Sequence, residues 1–88
     1  MPGDSGEIAG RVEGAVRRLG QVQAGDTEFD RDVHLFDSGY LDSLGAFQLI
    51  EFIEETYDLS FSEEELFSPD FVSINGITGI ILARQRRT

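Results

Sequence analysis

There is no cysteine in this chain. That absence removes disulfide frameworks, thiolate metal sites and any sulfur nucleophile borne by the protein itself. Histidine occurs once, at His34, without a serine and base beside it in a pattern that suggests a triad. It reads as a surface or loop-packing side chain, and a small hydrolase is the weakest of the functional readings. Gly-rich phosphate loops of the Walker or dinucleotide type are missing. Long apolar runs are missing too: the longest, Ile80-Ile81-Leu82-Ala83, is far too short to span a bilayer. The opening Met1-Pro2-Gly3-Asp4-Ser5-Gly6-Glu7 lacks the basic and apolar regions of a signal peptide, so the expected location is cytoplasmic. Bases are scarce, seven against seventeen acids for a net charge of −10. Such a chain repels phosphate backbones and anionic lipid, which argues against nucleic-acid and membrane partners.

What is present fits one small domain over residues 1–88, with 1–4 and 86–88 expected as flexible ends. Ile, Leu, Val and Phe number 27 of 88, enough for a modest core. The charge is uneven. Fourteen of the seventeen acids lie between Asp26 and Asp70, where Arg31 is the sole base. Outside that window Asp4, Glu7 and Glu13 face six arginines. The window is either a solvated surface that aids solubility or a face that meets basic partners.

Four helical segments can be read. The first, from about Asp4 to Leu19, carries the stripe Ile8, Val12, Ala15, Val16 and Leu19. Asp4 with Glu7 is a capping pair, Arg17-Arg18 suit the C-terminal dipole, and Gly20 stops the helix. Gly6, Gly10 and Gly14 imitate a membrane-helix dimer motif, but Glu7, Arg11 and Glu13 among them exclude it. The second helix, from about Ser43 to Tyr57, places Ala46, Leu49, Ile50, Ile53 and Tyr57 on one arc, assigned to the core. Ser62-Glu63-Glu64-Glu65 announces a short third helix through a capping box, ended by Pro69. The fourth begins at Ser73 as N-cap, staples Val72 to Ile77, turns Ile77, Ile80 and Ile81 inward and closes on Arg84, Arg86 and Arg87. No alternating strand pattern, repeat or low-complexity stretch is visible. The expected fold is all-α: a small four-helix bundle, three main helices plus one short one, with a long loop between the first and second.

That loop, residues 20–41, is long for so small a domain and so points to function. Val33, Leu35, Phe36, Tyr40 and Leu41 should pin it to the core. Asp26, Glu28 and Asp30 alternate as in a calcium loop and Asp37 falls at the twelfth position, yet Arg31 stands where the turn needs glycine and the bidentate Glu is missing. No metal site is assigned. An acidic helical adaptor or calcium-binding module remains a remote alternative.

The loop ends at Leu35-Phe36-Asp37-Ser38-Gly39-Tyr40-Leu41-Asp42-Ser43-Leu44-Gly45, where the best helix begins. The plainest reading is a helix start that Asp42 or Ser43 simply caps. The serine hydroxyl nevertheless sits on the first turn, beside free backbone N–H groups and the positive end of the dipole. A phosphate ester is electrostatically tolerated there even on a chain of −10.

Leu35-Phe36 followed by Gly39-Tyr40-Leu41-Asp42-Ser43-Leu44 resembles the phosphopantetheine attachment site of acyl carrier proteins. The four-helix plan with a long first loop, the acidic end of the second helix from Glu51 to Glu55 and the capped third helix fit the same family. The similarity covers about residues 5 to 85. It implies that Ser43, with Asp42 adjacent, is esterified by 4′-phosphopantetheine from coenzyme A, whose thiol then carries an acyl or aminoacyl group as a thioester. Peptidyl carriers more often have His or Asp after paired glycines before the serine. Asp42 preceded by Leu41 is instead similar to acyl carriers and to D-alanyl carrier proteins, whose Gly, Leu, Asp, Ser order and following Gly are close to Gly39 through Gly45.

On the second helix, the arc away from the core holds Ser43, Leu44, Phe47, Glu51, Glu54, Glu55 and Asp58. Apolar Leu44 and Phe47 ringed by carboxylates have the anatomy of a transient docking patch; the other reading is that both pack under the loop. Glu51 stands where fatty-acid carriers commonly have Met, and Gln48 replaces a frequent Glu. These departures suggest a specialised pathway, polyketide or mixed polyketide–peptide. The expectation is therefore a monomeric carrier, not an enzyme. Its partners would be a phosphopantetheinyl transferase and acyl-loading and acyl-transfer or condensing enzymes with basic docking patches. An aminoacyl carrier of the D-alanyl or peptidyl type is the alternative.

Overall fold

The computed structural model describes residues 5–86. Its elements are α1 (Ser5–Leu19), α2 (Ser43–Tyr57), α3 (Glu63–Leu66), a 3₁₀ turn (Pro69–Val72) and α4 (Ile74–Arg86). The all-α bundle expected from the periodicities is what forms. Helix α1 packs against α4 and α2, and the 3₁₀ turn packs against the start of α4.

The stripe of α1 supplies Ile8, Val12, Ala15 and Val16 to the core, with Leu19 half-buried at its edge. They meet Leu49 and Ile53 from α2 and Ile74, Ile77 and Ile81 from α4, all fully buried. Ile80, expected to face inward with its neighbours, is half-buried. The Gly6, Gly10 and Gly14 face of α1 is exposed.

The caps hold with some changes of detail. Ser73 Oγ accepts from the Gly76 N–H at 3.0 Å, so it caps α4 as expected. The capping box forms in both directions: Glu65 N–H donates to Ser62 Oγ and Ser62 N–H donates to Glu65 Oε1. Pro69 does not end α3, which stops at Leu66; it opens the 3₁₀ turn instead, where a missing N–H costs nothing. Chain reversal after α1 takes a left-handed residue at Gln21 (φ 52°) rather than at Gly20. Asp4 and Arg87, assigned to helix ends, lie outside the described residues.

The arginines serve tertiary contacts more than dipoles. Arg17 pairs with Glu13 at 3.0 Å and lies over the Phe29 ring, while Arg18 lies over Phe52. Arg84 donates to Glu65 Oε1 at 2.6 Å and to the Ser60 carbonyl at 2.8 Å, tying α4 to α3 and to the segment before it. Arg31 donates to Glu13 at 2.8 Å and anchors the long loop to α1.

Two carboxyls are shifted by these contacts. Hydrogen bonds from Arg31 and Arg17 hold Glu13 below the ordinary value of 4.5. Partial burial would raise Glu65, but the Ser62 N–H and hydroxyl and the Arg84 guanidinium outweigh it and hold Glu65 below 4.5 as well. A carboxyl depressed in the fold adds stability above its unfolded value, and that contribution disappears as pH falls through the folded value. The melting temperature should therefore drop as pH falls below about 4.5. Melting followed by circular dichroism from pH 7 to pH 3 checks this, and Glu65→Gln should show a shallower acid limb than the wild type.

Candidate functional site

The loop of residues 20–42 is ordered by its own aspartates. Asp26 Oδ1 accepts from the backbone N–H groups of Glu28 and Phe29, and Asp26 Oδ2 accepts from the Tyr40 hydroxyl at 2.9 Å. Asp30 Oδ1 accepts from the Asp32 N–H, and Asp32 Oδ1 accepts from Asn75 Nδ2 on α4. These are Asx turns and a tether. Of the carboxylates that alternate as in a calcium loop, Asp26 and Asp30 are folding the loop, and among the described residues no group of three or more His, Cys, Asp or Glu is placed to hold a metal. The Tyr40–Asp26 bond has two electrostatic signatures. Partial burial and the Asp26 carboxylate push the Tyr40 phenol up to about 12. The Tyr40 hydroxyl and the backbone N–H groups hold the Asp26 carboxyl low.

Beyond these turns the loop is fastened to the bundle. Leu35 is fully buried, its N–H donates to the Val72 carbonyl at 2.8 Å, and its carbonyl accepts from the Leu41 N–H at 2.9 Å. Asn75 N–H donates to the Arg31 carbonyl. Val33, Phe36 and Tyr40 pack partly buried against the core, as expected, and Leu41 is buried. Phe29, which belongs to no periodic stripe, is buried in the core edge-on to Tyr40. Gly39 then takes a positive φ of 86°, open to glycine without strain, and the chain passes through Tyr40 and Leu41 into Asp42.

Asp42 is the N-cap of α2: its backbone is extended and its Oδ1 accepts from the Gly45 N–H at 2.8 Å. Ser43 is thus the first helical residue, exposed, beside first-turn N–H groups that have no intrahelical acceptor. The hydroxyl makes no hydrogen bond to the described residues and is presented to solvent at the positive end of a 15-residue helix. Gly45 is buried against Leu41 and the Asp42 cap.

Beside Ser43 opens a cleft of about 500 Å³ lined by Phe36, Leu41, Asp42, Ser43, Ala46, Ile50, Leu66 and Phe71. This corrects the helical-wheel assignment of Ala46 and Ile50. Both lie on the inward arc of α2, yet they are half-buried because they wall the cleft instead of filling the core. Tyr57, on the same arc, is half-buried at the far end of the helix.

The outward arc of α2 is apolar at its start and acidic after it. Leu44 is 64% exposed and Phe47 61%, so neither packs under the loop. Glu51, Glu55 and Asp58 are exposed, while Glu54 is half-buried and its Oε2 accepts from the Phe61 N–H at 2.8 Å. Glu54 therefore fastens the segment after α2 and is not a free rim carboxylate. A third exposed apolar side chain lies outside the patch expected from α2. Phe67, at the end of α3, is 85% exposed, and the available signal was a Phe between a capped acidic turn and Ser68-Pro69.

The residues at this helix start fit a covalently attached phosphate ester: a free serine hydroxyl, the Ser43 and Leu44 N–H groups that the Asp42 cap leaves without an acceptor, and an apolar cleft at its side. A family model for the phosphopantetheine attachment site matches residues 11–81. The chain belongs to that family, the acyl and peptidyl carrier proteins. Carriers of this family bear covalent 4′-phosphopantetheine, which supplies a terminal thiol for cargo, and they interact with phosphopantetheinyl transferases and acyl-processing enzymes. They are carriers, not catalysts. No curated protein and no solved structure matches the chain. Among the described residues no helix of this carrier is long and apolar enough to cross a membrane.

Proposed function

We propose that Ser43 is the attachment residue and that this carrier moves acyl intermediates, as thioesters on the arm, in polyketide or other specialised-metabolite biosynthesis. It works as a cytoplasmic monomer and catalyses nothing itself. The observation that carries the reading is the exposed Ser43 hydroxyl on the first turn of α2, capped by Asp42 and opening onto the apolar cleft. The apolar lining favours acyl over aminoacyl cargo. The pathway is argued from Gln48 and Glu51, both exposed on α2, which alter the charge pattern a fatty-acid partner would meet. The D-alanyl reading is favoured by one feature, buried Gly45 packed directly on Leu41 and the Asp42 cap. Accurate mass of the arm fragment released from protein isolated with its loading enzyme separates the two. An acyl cargo adds only carbon, hydrogen and oxygen, whereas a cargo with an added nitrogen would overturn the acyl reading.

Leu44, Phe47, Glu51 and Glu55 form the proposed docking face, with Phe67 added and Glu54 in a supporting role. Exposed rings contribute little to folding, so Phe47→Ala and Phe67→Ala should melt within about 0.5 kcal/mol of the wild type. Each should cut kcat/KM with a docking enzyme by about tenfold. Glu51→Lys should likewise leave melting unchanged, while Glu54→Lys, which deprives the Phe61 N–H of its acceptor, should lower it. A large stability loss from Phe47→Ala would remove that ring from the docking face.

A further inference from the structure

His34 is the one histidine of the chain, and its imidazole closes the turn that leads to Ser43. Its Nδ1 accepts from the backbone N–H of Asp37 at 2.9 Å and of Phe36 at 3.3 Å. Its Nε2 lies 3.4 Å from Asp37 Oδ2. Two further bonds complete the same turn: the Ser38 N–H donates to the His34 carbonyl at 3.1 Å, and the Gly39 N–H donates to the Phe36 carbonyl at 3.1 Å. The Ser38 hydroxyl also donates to the His34 carbonyl. A ring nitrogen is here doing what an Asp or Asn oxygen does in an Asx turn, accepting N–H groups two and three residues ahead.

The turn has consequences at the site on both sides. Phe36, whose N–H is held by His34 and whose ring stands edge-on to the imidazole, is a wall of the cleft at Ser43. Leu41, which closes the turn back onto the Leu35 carbonyl, is the residue before the Asp42 cap. We propose that His34 is a positioning residue for modification of Ser43. Acting through Nδ1, it sets the 34–39 turn and with it the approach of the Asp42-Ser43 helix start to the transferase. It touches neither the nucleophile nor the docking face of α2, so its contribution belongs in kcat more than in KM.

The inference rests on Ser43 being the modified residue. The test compares His34→Ala, His34→Asn and His34→Gln as substrates of a broad-specificity phosphopantetheinyl transferase with coenzyme A. The Asn side-chain oxygen reaches the place of Nδ1, whereas the Gln amide reaches only the place of Nε2. His34→Ala and His34→Gln should lose about tenfold in kcat with KM nearly unchanged, a size expected of modest misplacement of a nucleophile. His34→Asn should remain within about twofold of the wild type. Far-UV circular dichroism at the assay temperature confirms that each variant is folded, and the Asn–Gln contrast decides the matter should His34→Ala unfold. Wild-type rates for His34→Gln, or a His34→Asn as slow as His34→Gln, would overturn the role of Nδ1. An unmodified wild type would instead overturn the Ser43 reading on which it depends.

Discussion

Leu35→Ala should destabilise the domain by about 2–5 kcal/mol, the range for truncating a fully buried leucine, a large share of the roughly 5–15 kcal/mol of a whole domain. Leu35 is not on a helix. It is the point where the long loop is driven into the bundle, with no exposed surface and with backbone bonds to Val72 on one side and Leu41 on the other. Losing the side chain opens a cavity between the loop, α4 and the 3₁₀ turn, and the two backbone bonds lose the packing that shields them. The folded fraction that remains should also be modified more slowly at Ser43, because Leu41 and the Asp42 cap are placed through Leu35. Denaturant unfolding together with a transferase rate at a temperature where the variant is folded checks both. A variant that unfolds like the wild type would mean the loop is held elsewhere, at Asp26–Tyr40 or Asp32–Asn75.

A pair of glycines on α4 should give effects of opposite sign. A methyl group at Gly76 would overlap the Asp70 carbonyl oxygen and lie 2.7 Å from the Asp70 carbonyl carbon. Those are backbone atoms and cannot rotate away. Gly76→Ala must push α4 off the 3₁₀ turn, breaking up the packing around Phe71 and Ile74, and should cost about 3 kcal/mol or more. At Gly79 an added methyl meets nothing within 4 Å, and the position is exposed in the helix interior. Gly79→Ala should stabilise by about 0.5–1 kcal/mol through helix propensity alone. Each kcal/mol corresponds to a shift of about 4–8 °C in a domain of this size, so thermal melts separate the two variants plainly. Equal effects would contradict the close approach of Gly76 to Asp70.

The sequence was most legible where the physics is local. α2 starts and stops where its apolar arc and Asp42 place it, at Ser43 and Tyr57, because a cap and a repeated stripe are short-range signals. The Ser62–Glu65 box and the Ser73 cap are of the same kind, as are the exposed serine and the apolar pair Leu44 and Phe47. What could not be read depends on neighbours distant in sequence. A helical wheel assigns Ala46 and Ile50 to the inner face but does not say that Phe36, Leu66 and Phe71 leave a cleft there instead of filling it. Glu54 reads as a surface acid until its bond to the Phe61 N–H, seven residues on, is seen. The Pro69–Val72 turn is too short to show a period, and α3 is too short to predict which way Phe67 faces. His34 reads as bland loop packing because nothing in its neighbours shows two N–H groups converging on one ring nitrogen.

The central claim is that the serine at the start of α2 takes the prosthetic arm. Wild type and Ser43→Ala should be incubated with coenzyme A and a broad-specificity phosphopantetheinyl transferase, followed by intact mass and peptide mapping. Alanine is well accepted at a first helical position, so the variant should remain folded. The account predicts one phosphopantetheine adduct per wild-type chain, on the peptide containing Ser43, and none on Ser43→Ala. An unmodified wild type, or an adduct undiminished on Ser43→Ala, would contradict it.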